Sequence, residues 1–278
     1  MLSVQFCDRS LPETESIPTE DREGNFDLYL MNADGSHVVQ LTSNPFASSR
    51  DRDINPVWSP DNAQLAFASS RDGGFSYISF NLYKMNIDGS NVVQLTGPAK
   101  IIGNERSPAW SPDGSQIAFE STASGITTFD IYVMNADGTG ILQLTDGPSD
   151  NFFPAWSSDG SQIAFVSARG GIYDIYVINA DGTHLLQLTQ DAANNSYPAW
   201  SPDGGWIAFA SDRSGSADIY VMKPDGSGVT QLTHNVGAYD PAWSPDGSQI
   251  VFVSDRYGDS DLYVMNADGS NVIQLTGK

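Results

Sequence analysis

One short pattern recurs through the chain and restricts its fold more than any other feature. The triplet Gln-Leu-Thr occurs six times, at residues 40–42, 94–96, 143–145, 187–189, 231–233 and 274–276. Each copy follows an Asp/Asn-Ile/Leu-Tyr triplet, whose tyrosines are Tyr29, Tyr83, Tyr132, Tyr176, Tyr220 and Tyr263. A Trp-Ser-(Pro/Ser)-Asp element occurs five times, at Trp58, Trp110, Trp156, Trp200 and Trp243, with spacings of 52, 46, 44 and 43 residues. Self-similarity at such a period means that one supersecondary unit is copied and that neighbouring copies bury each other's apolar faces. The chain is therefore expected to be one domain, residues 1–278, rather than several.

Each unit reads as four short strands. Pro-Ala-Trp-Ser supplies the first. Gln-Ile-Ala-Phe-Val-Ser alternates polar and apolar residues, as a half-buried strand does, and supplies the second. Asp-Ile-Tyr-Val-Met-Asn, rich in aromatic and branched residues, supplies the third. Val-Val-Gln-Leu-Thr supplies the fourth. Ser-Pro-Asp-Gly lies between the first two and Asn-Ala-Asp-Gly between the last two, and Asp-Gly provides the positive φ that tight hairpins require. No stretch has the 3.6-residue period of an amphipathic helix. Four strands and a Trp per unit predict an all-β fold, a six-bladed β-propeller of four-stranded antiparallel blades. The blades are expected at about residues 1–42, 55–96, 107–145, 153–189, 197–233 and 240–276. The first is expected to be incomplete, with three strands, because residues 4–9 match a second strand but no Trp element precedes them.

Composition excludes several classes of function. Thirteen Lys and Arg against 34 Asp and Glu give a net charge of −21, which is unsuited to neutralising nucleic-acid phosphates. No apolar run approaches the roughly 20 residues of a membrane-spanning helix. The single cysteine, Cys7, forbids an internal disulfide framework and a Cys-based zinc site. The first residues do not read as a signal peptide.

The elements Trp-Ser-Pro-Asp-Gly-Ser-Gln-Ile-Ala-Phe, at residues 110–119, and Asp-Ile-Tyr-Val-Met-Asn-Ala-Asp-Gly, at 130–138, resemble the TolB-like propeller repeat. The resemblance covers about residues 25–276. It implies a bacterial, periplasmic or extracellular protein, with the cytoplasm left open by the absent signal peptide. It also implies a binding role, since TolB captures a lipoprotein and disordered colicin segments. Oligogalacturonate lyases share the repeat, which keeps carbohydrate binding or cleavage as an alternative. A purely structural scaffold, or a fragment of a larger protein, is a further one.

Comparing the six units locates the candidate site. The two Asp-Gly hairpins hardly vary and fall at one end of each blade. The connections between strands two and three, and from strand four to the next blade, fall at the other end and vary in length and chemistry. Loops on a rigid scaffold carry function, so the variable end is expected to bind a protein or peptide segment. Asn55, Ser107, Phe153, Tyr197 and Asp240, each just before the strand-one Pro, are expected at the mouth of the central channel. Phe75, Tyr77, Phe129, Tyr173, Tyr239 and Tyr257 supply aromatic anchors on the same side. Arg52, Lys100 and Arg106 stand outside the repeat pattern and are expected to serve binding. Arg169, Arg213 and Arg256 are instead expected to pair across a hairpin with Asp174, Asp218 and Asp261.

No enzyme activity is expected. There is no Gly-x-Ser-x-Gly motif. His37 and His184 sit at equivalent turns of different units, and His234 stands alone in a loop, so no histidine cluster forms a metal site. No cofactor is expected: Asp51, Asp53, Asp255, Asp259 and Asp261 supply hard oxygen ligands but fit no calcium-loop spacing, while a channel cation such as calcium, coordinated by backbone carbonyls, stays open. A monomer is expected. Trp206 replaces the Gln that other units carry and is expected to be partly exposed at the constant end.

Overall fold

Short apolar runs and Asp-Gly turns produce the expected strands, but the second strand, expected to be half-buried, is buried on both faces in four of the five blades because it lies inside its sheet between neighbouring blades. The computed structural model describes residues 27–30, 37–43, 52–72, 79–97, 103–122, 128–258 and 260–276. They divide into two compact units between Gln143 and Leu144. No helix among the described residues is long and apolar enough to cross a membrane.

The first unit begins with a two-stranded ribbon, β1 (Tyr29–Leu30) and β2 (Val39–Gln40). Two four-stranded sheets follow. One is β3 (Asp53–Trp58), β4 (Gln64–Ser69), β5 (Asn81–Asn86) and β6 (Val93–Gln94). The other is β7 (Glu105–Trp110), β8 (Gln116–Ser121), β9 (Asp130–Asn135) and β10 (Leu142–Gln143). The second unit holds three such sheets. They are β11 (Asn151–Trp156), β12 (Gln162–Ser167), β13 (Asp174–Asn179) and β14 (Leu186–Gln187); β15 (Asn195–Trp200), β16 (Ile207–Ser211), β17 (Asp218–Met222) and β18 (Thr230–Gln231); and β19 (Ala238–Trp243), β20 (Gln249–Ser254), β21 (Asp261–Asn266) and β22 (Ile273–Gln274). Within every sheet, neighbours in sequence are neighbours in space and all are antiparallel.

The expectation of six four-stranded or nearly complete blades is corrected. The described residues form five four-stranded sheets, and the first repeat contributes only the β1-β2 ribbon. The sequence before Asp27 contains no Trp-Ser-Pro-Asp element, which in every other unit begins the inner hairpin. The second strand expected at residues 4–9 lies outside the described residues.

The core of each blade is one aromatic pair. Phe67, Phe119, Phe165, Phe209 and Phe252 are fully buried in the second strand. Each stacks on the Tyr opposite it in the third strand, with ring centroids 5.6–6.0 Å apart. Burying each Phe contributes up to about 3 kcal/mol. The repeated Trp joins blade to blade within a unit. Trp110 packs against a cluster that joins Ala66, Ala68 and Leu82 of the second repeat's sheet to Ile117 and Phe119 of the third's, and Trp243 Nε1 donates to Ala199 O at 3.1 Å.

The Gln-Leu-Thr repeat ties the fourth strand to the third. Thr189 Oγ1 accepts from Ile175 N at 2.9 Å and donates to Asp174 Oδ1 at 2.7 Å, while Gln187 Nε2 donates to Asp174 Oδ2 at 2.9 Å. Thr233 and Gln231 hold Asp218 in the same way, and Thr276 and Gln274 hold Asp261. In these three blades the repeat is therefore a carboxylate clamp that closes the outer edge.

Candidate functional site

Strand one of every four-stranded sheet breaks its ladder at the same place. Register shifts fall between Ile54 and Val57, Arg106 and Ala109, Phe152 and Ala155, Ser196 and Ala199, and Tyr239 and Ala242. Two residues thus oppose one on strand two, which is a β-bulge. Proline has no N–H for the ladder and is tolerated on edge strands at such bulges. The residue before that proline is left-handed in all five blades: Asn55 (φ 53), Ser107 (φ 49), Phe153 (φ 54), Tyr197 (φ 54) and Asp240 (φ 52). A positive φ is a genuine outlier for bulky residues such as Phe and Tyr, and such strain collects at ligand clamps and other functional positions. The bulge left one sequence signal, the unvarying Pro after a position of changing identity.

In the second unit, the bulges bring candidate residues together. Phe153 and Tyr197 stack with centroids 4.5 Å apart and planes at 24°. Tyr197 continues to Tyr239 at 6.2 Å, and Phe153 to Phe152 at 5.8 Å, which meets Tyr173 at 6.2 Å. Tyr239 Oη lies 3.0 Å from Ser260 Oγ. The ladder spans three blades at the variable end. Tyr197 is 6% exposed, whereas Phe152, Phe153, Tyr173, Tyr239 and Asp240 are half-buried. Tyr257, 77% exposed, stands outside the ladder.

In the first unit, the guanidinium of Arg106 lies over the Phe80 ring at 4.8 Å and the Phe129 ring at 5.7 Å. Its Nε donates to Asn104 Oδ1 at 3.1 Å. Burial pushes Arg106 below its ordinary pKa, the Glu120 charge opposes that, and the Arg52 charge adds to it. Arg52 N donates to Ser70 Oγ at 2.8 Å. Asn55 and Ser107 are buried. Phe75, Tyr77 and Lys100 lie outside the described residues.

The arginines expected to pair across the strand two to three hairpin do something else. Arg169, Arg213 and Arg256 lie over their blade's Phe and Tyr rings, as does Arg71. Arg71 reaches Asp53 at 3.0 Å, Arg169 reaches Asn151 at 3.1 Å, and Arg213 reaches Asn195 at 2.8 Å. Arg213 also pairs with Asp191 at 2.8 Å. Asp174, Asp218 and Asp261 are held instead by Thr and Gln of their own blades. The Arg9–Asp27 pair, suggested by the same pattern, lies partly outside the described residues.

Glu105 was not singled out by sequence. Its side chain is wholly buried, accepting from Thr96 Oγ1 at 3.1 Å and from Ser121 Oγ at 3.2 Å. Burial raises its pKa to about 7, against the lowering effect of the two hydroxyls. Thr96 turns to Glu105 where its counterpart Thr189 holds Asp174, because Asn81 replaces that Asp in its own blade. The turn acids are different. Asp113 and Asp246 are held near 2, first by the hydroxyls of Ser111 and Ser244.

The histidines have a backbone explanation. His37 (φ 54) and His184 (φ 57) occupy the left-handed position that follows Asp-Gly-Ser/Thr in the turn between strands three and four, filled elsewhere by Asn91, Gly140, Gly228 and Asn271. His, Asn and Gly are the residues that tolerate this conformation. Among the described residues, no group of three or more His, Cys, Asp or Glu side chains converges as metal ligands would. Asp53 is engaged by Arg71 and Asp261 by Gln274 and Thr276.

Residues 94–174, 171–240 and 217–278 match the TolB beta propeller domain family. A protein TolB homolog of Chlorobaculum tepidum is 38% identical over 108 residues, 37% of this chain. The matched segment spans only 21% of that relative's length. Among solved structures, a putative TolB from Agrobacterium tumefaciens superposes with a TM-score of 0.73 at 27% identity, covering 86% of this chain and 84% of that one. An oligogalacturonate lyase in complex with manganese shares the fold, with a TM-score of 0.63 at 18% identity, covering 90% of this chain and 70% of that one.

Proposed function

Since the chain belongs to the TolB β-propeller family, we propose that it is a non-catalytic binding module that captures a protein or peptide segment at the variable end of its blades. The observation that carries this reading is the ladder Phe152–Phe153–Tyr197–Tyr239, built on consecutive strained bulges. Half-buried aromatic rings on a rigid frame are the anchors that interfaces favour. Two of them, Phe153 and Tyr197, hold strained backbones, at positions whose conformation the surrounding sheet over-determines. An extended segment laid across the ladder gains apolar burial at little ordering cost on the protein's side.

No reaction is assigned to the module. Glu105, a buried acid raised towards neutrality, is committed to two hydroxyls inside a blade junction. The net charge of −21 favours segments that are neutral or basic.

Selection of a displayed library of disordered peptides on the protein tests the reading. Enriched peptides should bind with an affinity that falls by about tenfold or more in the Phe153→Leu, Tyr239→Leu double variant, since interface aromatics commonly carry 2 kcal/mol or so each. Peptides that bind this variant unchanged would refute the ladder as the site. Turnover of an oligogalacturonate would refute the non-catalytic reading.

A further inference from the structure

The constant end of the second unit holds a cavity of about 530 Å³ between its second and third sheets. That volume lies within the range of roughly 300–1,000 Å³ typical of small-ligand sites. Trp206 and Trp243 form its walls, with Val221 and Leu232 behind them. Asp203, Asp246 and Asp268 line its opening from three separate turns. In the other four-stranded blades, the position of Trp206 is taken by Gln64, Gln116, Gln162 and Gln249. The junction is also distinct in its repeated Trp. Trp243 Nε1 donates to Ala199 O, whereas Trp200 Nε1, at the preceding junction, is buried without a partner.

The three carboxylates are oriented by their turns. Asp203 Oδ1 accepts from Gly205 N at 2.9 Å, Asp246 Oδ1 from Ser248 N at 3.0 Å, and Asp268 Oδ1 from Ser270 N at 2.9 Å. The second oxygen of each, Oδ2, takes no hydrogen bond from the described residues. All three acids are lowered from the ordinary carboxylate range, first by the hydroxyls of Ser201, Ser244 and Ser270 and then by these backbone N–H groups. Acids of this kind recur at every turn of the chain, but here they rim a cavity with two indole walls. Indole is the best aromatic face for a cation.

From this arrangement we infer that the Trp206–Trp243 cavity is a binding site for a linear polyamine, its ammonium groups meeting Asp203, Asp246 and Asp268 and its alkyl chain lying on the indoles. Several ammonium groups on one flexible chain suit three carboxylates carried by separate turns. A net charge of −21 enriches such a ligand near the surface. The site lies at the opposite end of the blades from the aromatic ladder and does not depend on it.

Spermidine binding, followed by calorimetry and by tryptophan fluorescence, tests the inference. The expected result is saturable one-to-one binding with a change in indole emission. Trp206→Gln, which restores the residue of the other blades, should weaken binding by about tenfold or more. The Asp246→Asn, Asp268→Asn double variant keeps the turn acceptors, removes two charges, and should weaken it comparably with little change in melting temperature. Equal spermidine binding by both variants would show diffuse attraction to an acidic surface and overturn the proposal. Binding of a neutral oligosaccharide such as cellohexaose, with none of spermidine, would overturn it in favour of a sugar site.

Discussion

The rings of Phe153 and Tyr197 stack at 4.5 Å although both residues hold their backbones at a φ of 54°. Each sits on the bulge of its own blade's first strand, so two strained positions are joined by one aromatic contact across a blade junction. The contact offsets part of the cost of the conformation that makes it possible. A double-mutant cycle with Phe153→Leu and Tyr197→Leu, measured by urea unfolding, should give a coupling of about 1 kcal/mol. A coupling near zero would mean that the rings are adjacent without supporting one another.

Thr189 should prove more important than its small size suggests. Its hydroxyl accepts from Ile175 N and donates to Asp174, which is almost wholly buried. Thr189→Val keeps the shape and removes both bonds, leaving buried polar groups under-satisfied. The variant should lose about 1–3 kcal/mol in denaturant unfolding, while Thr189→Ser should lose less.

Glu105 should make the stability of the first unit depend on pH. Its pKa is raised from 4.5 to about 7 in the folded chain. The folded state therefore favours the protonated acid. Its contribution is fully present below about pH 4.5 and is lost as pH rises through about 7. Each tenfold change in proton affinity is worth about 1.4 kcal/mol, so the loss reaches up to about 3 kcal/mol. Glu105→Gln should abolish this dependence and be the more stable protein at pH 8, as read from melting curves across pH. Parallel curves for the two proteins would show that Glu105 is ionised without penalty.

His184 should be replaceable according to backbone tolerance rather than imidazole chemistry. Asn and Gly occupy its left-handed position in other units. His184→Asn should leave the melting temperature essentially unchanged. His184→Val, with a β-branched side chain at φ 57, should cost about 1–2 kcal/mol.

Much of the architecture was legible because the forces that specify it are local. The apolar run Ile163–Val166 marks a strand, which the fold buries on both faces rather than on one, and Asp-Gly turns set where the strand reverses. Both operate within a few residues, so copying the pattern copies the sheet. The ends of the blades could likewise be sorted into constant and variable, and Phe153, Tyr197 and Tyr239 were picked from the variable one. Their mutual stacking was not legible, since it depends on a bulge that shifts register by one residue and on the spacing of neighbouring blades.

The sequence by itself determined the repeat, its four antiparallel strands and the placement of its acidic turns. Only the tertiary structure decided the partners. It sent Arg169 to Asn151 rather than Asp174 and turned Thr96 towards Glu105. The physical reason is that a hydrogen bond or ring contact is settled by competition among every group within reach. Asp174 was claimed by Thr189 and Gln187, so the nearby guanidinium settled on two rings and an amide. Trp206 shows the same division. The sequence marked it as the residue that departs from its repeat, and folding set it beside Trp243 as the wall of a cavity.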